Sequence, residues 1–268
     1  VLLAAFAVIE TRSTDPLLPI RVLRSRDRSG AYLISLCTGT ALLGMFFFLT
    51  LFIQDVWGYS ALKTGLAYLP FVPVVLAATV VAQQGVTRIG ARPLLIAGSV
   101  IGAGGMFWLS RITEHSTFAG GMLGPELVLG AGMGLLFVLM SLVGLTKVRN
   151  DDTGVASSLV NVGQQVGGSI GLAVLGTVAW TVVANTLRNS AAAAKAAAVA
   201  AARAGHPLHL TAAQAKAAQT GLYDHALATG FSRGFVVSAG IMVVALLVSI
   251  VLIQVRRQDL AGVNPMAG

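Results

Sequence analysis

The sequence predicts an all-α, polytopic membrane protein with six transmembrane helices. Three observations carry that expectation. Hydrophobic residues make up 56% of the chain and charged residues only 10%, and the mean hydropathy is +0.82. A soluble domain carries roughly 25% charged residues, so this chain lacks the polar surface to coat a globule in water. Six segments each supply about the ~20 apolar residues that a helix needs to cross a ~30 Å hydrocarbon core. None of them alternates with period two, as the strands of a closed barrel would.

The six segments are approximately 31–54, 62–84, 93–110, 119–146, 154–184 and 234–255. Their connections differ in charge. The stretch before the first span holds Arg12, Arg21, Arg24, Arg26 and Arg28. The second connection holds Arg88 and Arg92, the fourth Lys147 and Arg149, and the tail Arg256 and Arg257. The intervening first and third connections contribute only Lys63 and Arg111. Basic loops stay in the cytoplasm, so six spans start and end inside, with a cytoplasmic C-terminus. The net charge of +8 then reflects loops facing an anionic leaflet of the lipid bilayer. Nucleic acid is not an expected partner, because no basic cluster is interleaved with stacking aromatics.

The organisation follows. The opening VLLAAFAVIE has neither an initiator Met nor a basic leader. Residues 1–9 read as the end of a preceding transmembrane helix, which makes the chain a fragment of a longer protein. Residues 10–30 form a basic cytoplasmic linker, 31–184 the first five spans and 185–231 an extracytoplasmic Ala-rich helical loop. The sixth span occupies 232–255 and a cytoplasmic tail 256–268. In the long loop, NSAAAAKAAAVAAARAG favours helix, Gly205 and Pro207 break it, and Thr211 with Gln214 reads as a capping box. An external, mobile helix pair is the expectation. His206, His209 and His225 lack the one-face spacing of helix-borne ligands, so no metal is expected. The single Cys37 excludes an internal disulfide and reads as a buried, inert thiol.

The fifth span poses the sharpest question. GVASSLVNVGQQVGGSIGLAVLGTVAW is greasy, yet it carries three amides. Gly163, Gly167 and Gly171 repeat every four residues and form a smooth stripe for close helix packing in lipid. The fourth span has a similar feature in Gly130 and Gly134. Ser157, Asn161 and Gln164 fall near one face, with Gln165 beside it. Hydrocarbon leaves an amide unsatisfied at several kcal/mol per group, so these side chains should face protein or water. Two readings stay open: hydrogen bonds between helices, or the wall of a cavity that meets a substrate. The first span is also polar, with Thr38, Thr40, Thr50 and Gln54, whereas the third and sixth are nearly bare. Such a split is expected when some helices line a pathway and others face lipid.

Glu126 is the only acid well inside a span. An intramembrane carboxylate is a functional candidate, here for proton or cation coupling, unless it reaches interfacial water. Phe46, Phe47, Phe48 and Phe52 ring the first span, and Phe48 and Phe52 are candidates for a hydrophobic ligand.

Two stretches carry a family resemblance. One is FFFLTLFIQDVWGYSALKTGLAYLP; the other is GPELVLGAGMGLLFV with DDTGVASSLVNVGQQVGGSIG. Both resemble the C-terminal half of major facilitator superfamily transporters, specifically the fourteen-span drug:proton antiporters. The resemblance covers nearly the whole chain. It implies that the six spans are the last six helices, with the first, second, fourth and fifth lining a central cavity. It also implies alternating access against an N-terminal half that is missing here, in a plasma membrane, with a proton gradient driving export of hydrophobic or amphipathic compounds. No cofactor is implied. GVTRIGARP resembles the superfamily's cytoplasmic loop motif through Arg88, Gly90 and Arg92, with Thr87 where the family has an acid.

The leading expectation is therefore the C-terminal half of a secondary transporter. The alternatives are a structural or signalling helix bundle and a twelve-span importer of the same superfamily. An enzyme is not expected, because the six spans hold no histidine.

Overall fold

The computed structural model describes residues 20–146, 148–204 and 211–255. A short helix α1 (Ile20–Leu23) precedes α2 (Arg26–Leu51), which continues through a π-helical turn, Phe52–Val56. Then come α3 (Ala61–Ala67), α4 (Phe71–Ile89), α5 (Ala91–Leu109) and α6 (Leu123–Gly144), the last preceded by a π turn at Phe118–Met122. Helices α7 (Thr153–Arg203) and α8 (Ala212–Val251) complete the chain. Among the described residues there is no strand, and six helical stretches are long and apolar enough to cross a membrane.

Two boundaries differ from the sequence expectation. The second span is broken into α3 and α4 at Tyr68–Pro70. Pro70 lacks an N–H, and the residue before a proline disfavours the helical region, so the helix stops and restarts there. The long loop at 185–231 is not a separate helix pair. Helix α7 runs 51 residues without a break, and α8 runs 40. Between Gly176 and Gly205 the sequence offers neither glycine nor proline, and alanine has the highest helix propensity, so nothing ends the fifth span at the membrane boundary. At 1.5 Å per residue α7 is about 77 Å long, more than twice a bilayer core. Its last two turns before Arg203 are largely exposed.

The start of α8 is fixed by the Thr211–Gln214 capping box, with Thr211 N donating to Gln214 Oε1 at 3.0 Å and Gln214 N to Thr211 Oγ1 at 3.3 Å. Residues 205–210 and 256–268, with His206, His209, Arg256 and Arg257, lie outside the described residues, as do residues 1–19 and Lys147.

Helix α2 is the centre of the bundle. It packs along α7 on one side and against α8 and α6 on others; α6 in turn holds α4 and α5, and α5 holds α8. The α2–α7 contact is close because small residues face each other. A Cβ on Gly167 would overlap Leu36 O, and one on Gly171 would stand 2.8 Å from Thr40 Cα. Gly163 meets Ser35 in the same way. Across this seam Thr40 Oγ1 donates to Gly167 O at 2.6 Å. Gly130 and Gly134 give α6 the same approach to α4: a Cβ on Gly134 would stand 2.7 Å from Ala78 Cβ, and Thr79 Oγ1 donates to Gly134 O at 3.3 Å.

The helix ends sort by charge. Arg26 Nη2 donates to Val251 O at 3.2 Å and Arg92 Nη2 to Ile250 O at 2.7 Å, so two guanidinium groups cover the C-terminal carbonyls of α8. Tyr32 OH reaches Gly144 O at 3.4 Å, bringing the end of α6 to the same side. Arg92, of the loop motif, is therefore a helix cap. Gly90 is the joint between α4 and α5, with φ at +88°, a conformation that side chains strain. Arg88 is exposed.

Candidate functional site

Where α6 ends and α7 begins, the two helices touch only lightly and leave a cavity of about 290 Å³. Helix α6 contributes Phe137, Met140 and Ser141; α7 contributes Ser157, Asn161 and Gln164. Leu145 and Val160 complete the wall. The α7 side follows from the spacing of three or four residues, which places 157, 161 and 164 above one another. Asn161 and Gln164 stand about 12 and 17 Å along the helix from Thr153 at 1.5 Å per residue.

The amides are nearly free. Among the described residues the only bond to the Gln164 side chain is a long contact from Nε2 to Met140 Sδ, 3.8 Å. A thioether is a weak acceptor. The exposed Asn161 has no side-chain bond among the described residues. Ser157 and Ser141 donate within their own helices, to Gly154 O at 3.0 Å and Phe137 O at 3.1 Å, which leaves their oxygens able to accept. The wall thus offers hydrogen-bond donors and acceptors beside an aromatic ring and a thioether.

The other candidates lie elsewhere. Gln165 is exposed on the neighbouring strip of α7, and Gln54 is half-buried in the π turn of α2; neither lines the cavity. Phe48 and Phe52 do not line it either. Both are completely buried in the apolar core. Phe48 packs on Phe231 of α8 at 5.5 Å between ring centroids, and Phe52 on Trp57 at 5.3 Å. Successive rings on a helix point in different directions, and these two point toward the core, while Phe47 is the exposed one.

Glu126 sits near the opposite end of α6, fully buried, and among the described residues neither carboxyl oxygen has a hydrogen-bond partner. The Phe71 N–H lies beside it but is donated to Tyr68 O at 3.1 Å. Around it Phe46 meets the rings of Tyr68 and Phe71 at 4.9 and 5.6 Å. The Tyr68 hydroxyl is 3.0 Å from Thr50 Oγ1. Fourteen residues of helix, about 21 Å, separate Glu126 from Met140 of the amide cavity.

Sequence reasoning missed Phe137, Met140, Ser141 and Tyr68. A signal for two of them was present. Glu126, Gly130, Gly134, Phe137 and Ser141 recur at helical spacing and form one row on α6.

Comparisons with known proteins agree with this architecture. The Major Facilitator Superfamily model matches residues 5–172, more than half of the chain. The cephamycin export protein CmcT of Amycolatopsis lactamdurans is 38% identical over 178 residues, 66% of this chain and 37% of that protein. The puromycin resistance protein pur8 of Streptomyces alboniger is 32% identical over 181 residues, 66% of this chain and 36% of that protein. The multidrug resistance protein Stp of Mycobacterium tuberculosis is 35% identical over 181 residues, 66% of this chain and 33% of that protein. The matched region thus spans about a third of each relative's length. With six membrane-length helices joined through glycine seams and a polar recess set among them, the chain belongs to the Major Facilitator Superfamily.

Proposed function

We propose that the chain is the C-terminal half of a drug exporter of the fourteen-span kind, working by alternating access in the plasma membrane. The observation that carries the reading is the cavity of Ser157, Asn161 and Gln164 between α6 and α7, with amides that the protein itself leaves almost unbonded. Such groups in a membrane helix need water or a ligand. The names of similar proteins, a cephamycin export protein and a multidrug resistance protein, favour a drug-like small molecule as substrate. The basic helix ends face the cytoplasm, and so does the C-terminus. A second helical body, the N-terminal half, closes the other side of the pathway. Glu126 holds the coupling proton, supported by its burial and its lack of a partner. No catalytic step or cofactor enters this proposal; the energy source is the proton gradient.

Efflux from cells that express the encoding gene tests it, with and without an uncoupler. The proposal expects substrate accumulation to rise on uncoupling. It also expects Asn161→Leu and Gln164→Leu to lower efflux at least several-fold at normal membrane levels. Undiminished efflux in both variants would contradict it.

A further inference from the structure

Resting on that reading, we propose that the α6–α7 cavity selects the uncharged, hydrogen-bonding part of its substrate, with Asn161 and Gln164 as specificity determinants, and does not recognise a cationic centre. Among the described residues, none that lines the cavity is ionisable. Two carboxyls among the described residues are buried without lining it: Glu126, about 21 Å further along α6 from Met140, and Asp152, at the start of α7. Tyr68 and Phe71 lie beside Glu126, and both rings pack on Phe46. Recognition and any proton chemistry at Glu126 are therefore spatially separate, and among the described residues the lining itself offers a positively charged ligand no countercharge.

What the cavity does hold is paired capacity. A carboxamide both donates and accepts, so Gln164 and Asn161 match carbonyl, amide and hydroxyl groups. Gln164 gives up only a weak sulfur contact to engage a ligand. Phe137 and Met140 supply an apolar, deformable wall for a ring or chain. A site built to hydrogen-bond a neutral group discriminates against ligands that lack it, because its own polar groups are then left unpaired. A bulky cation without donors or acceptors satisfies neither amide.

The test uses two probes on the purified protein in lipid nanodiscs. Chloramphenicol is an uncharged amide with two hydroxyls; tetraphenylphosphonium is a lipophilic cation with no hydrogen-bonding group. The protein is expected to bind chloramphenicol at least tenfold more tightly than the cation. Gln164→Leu should weaken chloramphenicol binding roughly fivefold, the scale of one neutral hydrogen bond. Asn161→Asp, which keeps the side-chain shape, should raise affinity for the cation at least fivefold while thermal unfolding stays unchanged. Equal or tighter binding of the cation by the unaltered protein would overturn the proposal. So would unchanged chloramphenicol binding in Gln164→Leu, or binding of neither probe. The transport reading stands or falls separately. Efflux of the cation alone would sink this proposal and leave export intact, and chloramphenicol binding without any efflux would do the reverse.

Discussion

The hydroxyl of Thr40 on α2 donates to the backbone carbonyl of Gly167 on α7 at 2.6 Å, where the two helices run closest. Two features of the sequence make that bond possible. A row of three glycines, one every four residues, removes the Cβ atoms from one stripe of α7, and a threonine on the facing helix satisfies its own hydroxyl by reaching across. Lipid offers no hydrophobic force between helices, so this contact rests on packing and hydrogen bonding.

Gly167→Val is a damaging change in the seam. A Cβ at 167 already overlaps Leu36 O, and a backbone atom cannot rotate away. The expected loss is about 1–3 kcal/mol from overpacking, read as a lowered unfolding midpoint in detergent. Thr40→Val, which keeps the shape, should cost only ~0.6–2 kcal/mol. A seam in which Thr40→Val costs more than Gly167→Val would show that packing is not the main term.

Glu126→Gln is isosteric and should leave the fold intact. Its expected effect is on coupling: efflux in the variant should lose at least tenfold of its dependence on the proton gradient, while equilibrium substrate binding stays within twofold, because the amide cavity lies far along α6. The variant removes the one titrating proton of that buried group. Uncoupler titration of whole-cell efflux, paired with binding to the purified variant, checks both halves.

Arg92→Met removes a charged donor from the C-terminal carbonyls of α8. A charge at a helix end contributes about 0.3–1 kcal/mol. Hydrogen exchange at residues 248–251 should quicken several-fold, with the middle of α8 unchanged. Equal quickening along the whole helix would point to a global effect instead.

The Glu114–His225 pair joins the α5–α6 connection to α8, with His225 Nδ1 2.7 Å from Glu114 Oε1. Partial burial pushes the Glu114 carboxyl upward. A backbone hydrogen bond, the bond to His225 and the nearby imidazoles outweigh it, and the net shift is below the ordinary carboxylate value. A carboxyl with a lowered folded value contributes stability above its unfolded value and loses it as pH falls through the folded one. Local stability at this junction should thus be level from neutral pH down to about pH 5 and decline below about pH 4. Hydrogen exchange of residues 221–230 against pH measures it. In Glu114→Gln the decline should vanish.

Much of the fold was legible because the membrane imposes simple rules. Apolar length revealed six spans, and loop arginines sorted the helix ends. The Thr211–Gln214 box was readable because capping is a local, four-residue interaction. The break at Tyr68–Pro70 was missed, since apolar length is indifferent to a proline inside a span. The length of α7 was missed because hydropathy drops at Asn185 while helix propensity does not. At the site, Ser157, Asn161 and Gln164 could be grouped because one helix carries them all. The burial of Phe48 and Phe52 in the core was not legible, because the facing of each ring depends on what packs against α2, here Phe231 on Phe48 and Trp57 on Phe52. Met140 was invisible for the same reason: its place in the cavity is set by the crossing of α6 and α7.

Transport through this cavity requires the amide face of α7 to meet water and substrate. Cysteine accessibility measures this directly. Single thiols placed by Asn161→Cys and Gln164→Cys would be treated in intact membranes with a membrane-impermeant maleimide, with native Cys37, buried on α2, as the unreactive reference. The account expects both new thiols to label and a transported compound to protect them. Thiols at 161 and 164 no more reactive than Cys37 would place that face against lipid or packed protein, and the transport cavity would be contradicted.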